Sequence, residues 1–123
     1  MTINNGTVTT RSADDGVNAS LDDGLADQNA IPSVTINGGT VKVYADADGL
    51  DSNGDLTITG GTTTMVGIGS GGMPQTPTTG QGWVQQNVTV KAQDRVKVTD
   101  SNDAEVVSLT AEQAATSLFV STP

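Results

Sequence analysis

The sequence predicts an all-β chain: a right-handed parallel β-helix (a solenoid) with a short irregular hairpin capping its C-terminal end. Three observations predict it. A seven-residue unit recurs along the chain, glycine pairs sit at the same place in each copy, and the apolar residues are Val and Ile in short, bounded runs. Hydrophobic residues make up 34% of the 123, and Tyr44, Trp83 and Phe119 are the whole aromatic set. That is too little apolar bulk for a compact sandwich of this length, but enough for stacked short strands with polar turns.

The first unit is Thr2-Ile3-Asn4-Asn5-Gly6-Thr7-Val8, and the second is Thr35-Ile36-Asn37-Gly38-Gly39-Thr40-Val41. A third runs Thr57-Ile58-Thr59-Gly60-Gly61-Thr62-Thr63, and a weaker fourth begins at Thr89-Val90-Lys91. The steps from Ile3 to Ile36, Ile58 and Val90 are 33, 22 and 32 residues, so the basic turn is 22 with insertions in two intervals. One such unit cannot bury its own apolar face, whereas stacked units bury a continuous core. In-register stacking puts Ile3, Ile36, Ile58 and Val90 in one interior column at a spacing of ~4.8 Å. Val8 and Val41 form a second column, and Asn4 and Asn37 an amide ladder that Thr59 interrupts. Gly38-Gly39 and Gly60-Gly61, with Asn5-Gly6 in the first unit, turn the corner. An antiparallel sandwich with Gly-Gly hairpins is the competing fold, but a hairpin has no reason to repeat side chains at equivalent positions.

The remaining elements follow in chain order. Residues 1–87 are expected to hold the coils, their acidic turns and a Gly/Pro/Thr loop from Ser70 to Gln81, and residues 88–123 a final coil and the C-terminal strands. Thr110 followed by Gln113 predicts a capped helical turn before the strand Ser117-Leu118-Phe119-Val120. Met1 leads straight into a repeat. The expectation is therefore a single domain truncated at both ends, with any signal segment upstream.

Charge narrows the function. There are 14 acids, 5 bases and no histidine, for a net charge of -9. Nucleic acid and anionic membrane surfaces would be repelled, and no apolar run approaches the ~20 residues of a membrane span. Without histidine or cysteine the usual general base, zinc ligands and thiolate chemistry are missing.

The acids are patterned. Asp14-Asp15-Gly16-Val17-Asn18 aligns with Ala47-Asp48-Gly49-Leu50-Asp51 at the same offset of 33. Asp15 is then expected to stack near Asp48, and Asn18 near Asp51. Asp46, Asn53 and Asp55 crowd the second turn, and Asp22-Asp23-Gly24 adds a third copy. Carboxylates stacked about 5 Å apart repel unless neutralised. Oxygen ligands with no nitrogen or sulfur nearby suit calcium. The expected calcium ligands are Asp14, Asp15, Asn18, Asp22, Asp23, Asp46, Asp48, Asp51, Asn53 and Asp55. The simpler reading of each Asp-Gly pair alone is a solvated turn. The pattern fits no EF-hand, because Leu56 stands where its glycine is required.

Taken together, Ser12-Ala13-Asp14-Asp15-Gly16-Val17-Asn18, Val34-Thr35-Ile36-Asn37-Gly38-Gly39-Thr40-Val41 and Asp48-Gly49-Leu50-Asp51-Ser52-Asn53-Gly54 resemble the bacterial calcium-binding β-helix family of carbohydrate-binding domain-containing proteins. Gly71-Gly72-Met73-Pro74-Gln75 resembles that family's Gly-rich loop. Val96-Lys97-Val98-Thr99-Asp100-Ser101-Asn102-Asp103-Ala104-Glu105-Val106-Val107 resembles its closing hairpin, with Asp103 where glycine is usual. The resemblance covers nearly the whole chain and corresponds to the C-terminal part of the family. It implies a pectate-lyase-like β-helix in a secreted or cell-surface protein that binds plant cell-wall polysaccharides, cellulose-like or acidic.

The residues support that function unevenly. A sugar platform needs an aromatic face, and Tyr44 and Trp83 are the candidates. Alternation from Val41 and Val43 points Tyr44 outward, whereas Trp83 reads first as a cap on the end of the solenoid core. A noncatalytic module is the first expectation. A polysaccharide lyase would need Arg11 or Lys42 as base beside calcium, yet no constellation has catalytic spacing, and both read as ordinary outward charges or ion-pair partners. A structural adhesin or stalk is the third reading, separable by glycan binding alone.

Overall fold

The computed structural model describes residues 1–20, 31–67 and 76–123. The described residues are all strand, turn and loop, with no helix. Three strands open the chain: β1 (Thr2–Ile3), β2 (Thr7–Ser12) and β3 (Val17–Ala19). The same order returns as β4 (Val34–Ile36), β5 (Thr40–Ala45) and β6 (Leu50–Ser52), and then as β7 (Leu56–Ile58) and β8 (Thr62–Val66). Next come β9 (Thr79–Gly80), β10 (Trp83–Val90), β11 (Arg95–Thr99), β12 (Glu105–Thr110) and β13 (Ala115–Ser121).

The repeat sets the pairing. Strands β1, β4, β7 and β9 form a wholly parallel four-stranded sheet. Strands β3 and β6 form a parallel pair. The third sheet is mixed, in the order β10-β13-β8-β5-β2: β2, β5 and β8 run parallel, and β13 and β10 add antiparallel. Strands β11 and β12 form the expected antiparallel hairpin.

The predicted columns are present. Ile3 pairs with Ile36 and Ile36 with Ile58, and all three are buried. Val8 pairs with Val41, which pairs in turn with a fully buried Thr63. Asn37 Nδ2 donates to Asn4 Oδ1 at 2.9 Å, and Thr59 Oγ1 donates to Asn37 Oδ1 at 2.9 Å. Thr59 thus extends the ladder that the sequence reading had it interrupt, because a hydroxyl can donate where an amide would. Gly39 and Gly61 carry φ of +86° and +77°. A Cβ at either would strike the backbone one strand earlier, at Gly6 or Gly39. The corner glycines are therefore required by close stacking as well as by the turn.

Two further expectations are corrected. The fourth member of the Ile column is not Val90. It is Gly80 in β9, paired with Ile58, while Thr79 pairs with Thr57 at the 22-residue step. Val90 instead pairs with Ala115 and packs with Tyr44, Val66 and Leu118. The helical turn expected after Thr110 is likewise absent: Thr110 ends β12, and Gln113 sits in a short connection to β13. Gln113 Nε2 donates to the Ala45 carbonyl at 3.0 Å and to Asp46 Oδ1 at 3.2 Å, so it ties the connection to β5 rather than capping a helix.

Two apolar clusters result. The larger lies inside the parallel sheets, around Ile36, Val41, Leu50, Leu56 and Ile58, and Phe119 of β13 closes it. The smaller lies on the opposite face of the mixed sheet, where Val96 and Leu109 of the hairpin cover Tyr44, Val66 and Leu118.

Candidate functional site

The acidic turns meet as the offset of 33 predicts. Asn18 pairs with Asp51 in the β3–β6 register. The Asp48 N–H donates to Asp15 Oδ1 at 3.0 Å, so the first turn's carboxylate caps the second turn's backbone. Asn18 Nδ2 donates to Asp15 Oδ2 at 2.9 Å and to Asp51 Oδ2 at 3.3 Å, bridging two carboxylates that would otherwise repel. Gly16 and Gly49 make this approach possible: the Gly16 N–H donates to the Asp48 carbonyl, and a Cβ at Gly16 would strike Val43.

Asp48 bears the cost. Its Oδ1 is buried and has no hydrogen-bond partner. Burial pushes its carboxyl above the ordinary value, and Asp15, Asp51 and Asp14 push it the same way. The cluster thus holds Asp14, Asp15, Asn18, Asp48 and Asp51. Asp46 is exposed and engaged by Gln113, while Asn53 and Asp55 are exposed on the turn after β6. Asp22 and Asp23 lie outside the described residues, as does the Gly-rich loop at residues 71–75. The donors suit a hard cation in kind, being all oxygen, and one buried oxygen is unsatisfied. In number they fall short: among the described residues no three acidic side chains are gathered closely enough to hold a metal by themselves. Backbone carbonyls and the Asn18 amide oxygen would have to complete the shell.

The aromatic candidates separate. Tyr44 does point away from the main core, as alternation requires, but it is buried at 5% exposure beneath the C-terminal segments. Its hydroxyl donates to the Thr110 carbonyl at 3.3 Å, and the Arg11 guanidinium lies 5.6 Å from its ring centroid. Tyr44 therefore offers no face to a sugar. Trp83 does, at 43% exposure. It stacks on Phe119 with centroids 5.8 Å apart and planes 17° apart, so one indole face continues the core while the residue stays open to solvent. Capping and presenting are compatible here.

Arg11, one of the two bases considered, forms a two-pronged pair with Glu112, its Nη2 donating to Oε1 at 2.9 Å. That hydrogen bond and charge lower the Glu112 carboxyl below its ordinary value and raise Arg11.

Sequence reasoning did not find the surroundings of Trp83. A cavity of about 230 Å³ beside it is lined by Val84, Val98, Val106 and Val120 with Gly82 and Thr122. It shares Val84, Val98 and Val120 with a groove of about 590 Å³ between β10 and the hairpin. The alternation of Val96 and Val98 was visible in the sequence, but not the sheet they face.

The described residues are all-β: the repeats stack a buried core, and the Trp83 indole, stacked on Phe119, stays on the surface. Residues 1–121 match the model of the carbohydrate-binding domain-containing protein family, and the chain belongs to that family. No curated protein and no solved structure matches the chain.

Proposed function

We propose that this chain is a noncatalytic module of a secreted or cell-surface bacterial protein, binding plant cell-wall or acidic polysaccharide. The family match over residues 1–121 is the observation that carries the carbohydrate-binding part of this reading. Trp83 is the residue proposed to carry the sugar, since an exposed indole braced by Phe119 loses little freedom on binding. The pairing of Arg11 with Glu112 weighs against Arg11 as a free lyase base.

The parallel ladders among β1 to β9 support a reading of these strands as coils of a right-handed parallel β-helix, the hand that parallel crossovers nearly always take. Calcium belongs to the same proposal. The unpartnered Asp48 Oδ1 and the like charges around it support a cation held by Asp15, Asp48 and Asp51 with Asn18. Its chemistry would be charge neutralisation between turns, with a second use in bridging to glycan carboxylates.

Affinity electrophoresis through gels containing cellulose derivatives, xylan or polygalacturonate, each with calcium or EDTA, tests the reading. Retardation by at least one polysaccharide is expected. Free migration through all of them would sink it.

A further inference from the structure

A groove of about 590 Å³ runs between the outer face of β10 and β13 and the hairpin strand β11. On its floor Val84 and Gln86 alternate along β10 opposite Val120 and Leu118 of β13, and Val88 and Val90 continue the floor past the irregularity after Asn87. Its wall is β11, where Val96 and Val98 are half-buried and Arg95 and Lys97 alternate to the exposed side. Space of this size suits a small ligand. The hairpin leaves part of the floor uncovered. Among the described residues six large apolar residues are exposed, and four of them, Trp83, Val84, Val88 and Val106, stand around this groove or the smaller cavity that continues it. Exposed apolar surface gathered in one place marks a binding site.

Charge selects what enters. Lys91, Arg95 and Lys97 are three of the chain's five bases, and they fall within seven residues of a chain whose net charge is -9. The one acid in that stretch, Asp94, is engaged: its Oδ2 accepts the Lys91 N–H at 2.8 Å. Neither Arg95 nor Lys97 forms an ion pair among the described residues, where Arg11 and Glu112 make the only one. The groove thus has an aliphatic floor, no aromatic lining and two unpaired cations on its lip. We propose that it binds a linear aliphatic carboxylate, a free fatty acid, with its head on Arg95 and Lys97 and its tail along the β10 valines. Guanidinium and ammonium groups both hold a carboxylate by charge-assisted hydrogen bonds, and their long stems cross a lip while packing on apolar surface. The tail covers Val84 and Val88, which otherwise face water. A neutral apolar ligand would leave both cations without a partner, and a polar glycan would leave the valines without apolar cover. The tail ends toward the cavity beside Trp83, but the proposal stands on the groove and not on the sugar platform.

Calorimetric titration of monomeric decanoate into the chain tests it, in EDTA so that no calcium bridges the head to the acidic turns. Saturable binding of one decanoate per chain is expected, at least about tenfold tighter than decanol, which has the same tail without the charge. Arg95→Gln combined with Lys97→Gln should bring decanoate down to the level of decanol. Gln86→Trp, which fills the exposed middle of the floor, should weaken both ligands at least about tenfold. Unchanged melting curves confirm that the variants fold. No saturable decanoate binding by the parent, equal binding of decanoate and decanol, a charge variant that holds decanoate as the parent does, or a Gln86→Trp chain that binds as the parent does would each overturn the proposal.

Discussion

Asp48 has a carboxylate that burial, Asp15, Asp51 and Asp14 all push toward its protonated form. A carboxyl whose folded value is raised stabilises the fold at acid pH, and that stability is lost as pH rises through the folded value. In EDTA, Asp48→Asn should therefore melt higher than the parent near neutral pH, and the gap should close as pH falls toward the ordinary carboxylate range. With calcium the order should reverse, because the variant has lost a ligand oxygen's charge. Melting curves across pH, with and without the metal, read both signs. Glu112 runs the other way: Arg11 lowers its carboxyl, so its contribution is present above the ordinary value and lost as pH falls. At this scale the sequence was legible where residues repeat. Asp15 beside Asp48 and Asn18 beside Asp51 follow from one offset. Tyr44 was not legible, because its cover comes from Thr110, 66 residues away, and no local pattern encodes that contact.

The ladder of parallel strands explains which substitutions should hurt. Ile36 is fully buried between Ile3 and Ile58 in the central rung, so Ile36→Ala should cost about 2–5 kcal/mol in urea unfolding. Gly39→Ala meets both a positive φ and the Gly6 backbone, and should cost about 1–3 kcal/mol or more. Gly82 has open space around its Cβ position, so Gly82→Ala should stay within about 0.5 kcal/mol of the parent. Equal costs for the two glycine variants would remove the stacking explanation. The misplacement of Val90 has an instructive cause. The real fourth rung carries Gly80 opposite Ile58, so the apolar signal vanishes at the very position where the period continues. The next Thr-Val pair along the chain matched the pattern instead. The antiparallel addition of β13 and β10 was also hidden, since Leu118-Phe119-Val120 is a continuous apolar run that does not declare its partner.

Across the whole molecule, two clusters share one sheet. The repeats supply the inner cluster, while the hairpin and β13 supply the outer one, with Phe119 closing the former and Leu118 joining the latter. Trp83 lies where β10 begins, stacked on Phe119, so the inner cluster reaches the surface through one ring pair. Calcium, if held between the turns as proposed, should act on this whole unit: a saturable rise in melting temperature over EDTA, larger than magnesium produces, is the expected result. An unchanged melt would reduce the aspartates to solvated turn residues.

The most direct test of the account is a calorimetric titration of the retained polysaccharide into the parent chain and into Trp83→Ala. The parent should bind, and the variant, folded by its melting curve, should bind at least about tenfold more weakly, roughly 1.4 kcal/mol. Equal binding by the two would contradict Trp83 as the platform, and no heat from either would contradict carbohydrate binding itself.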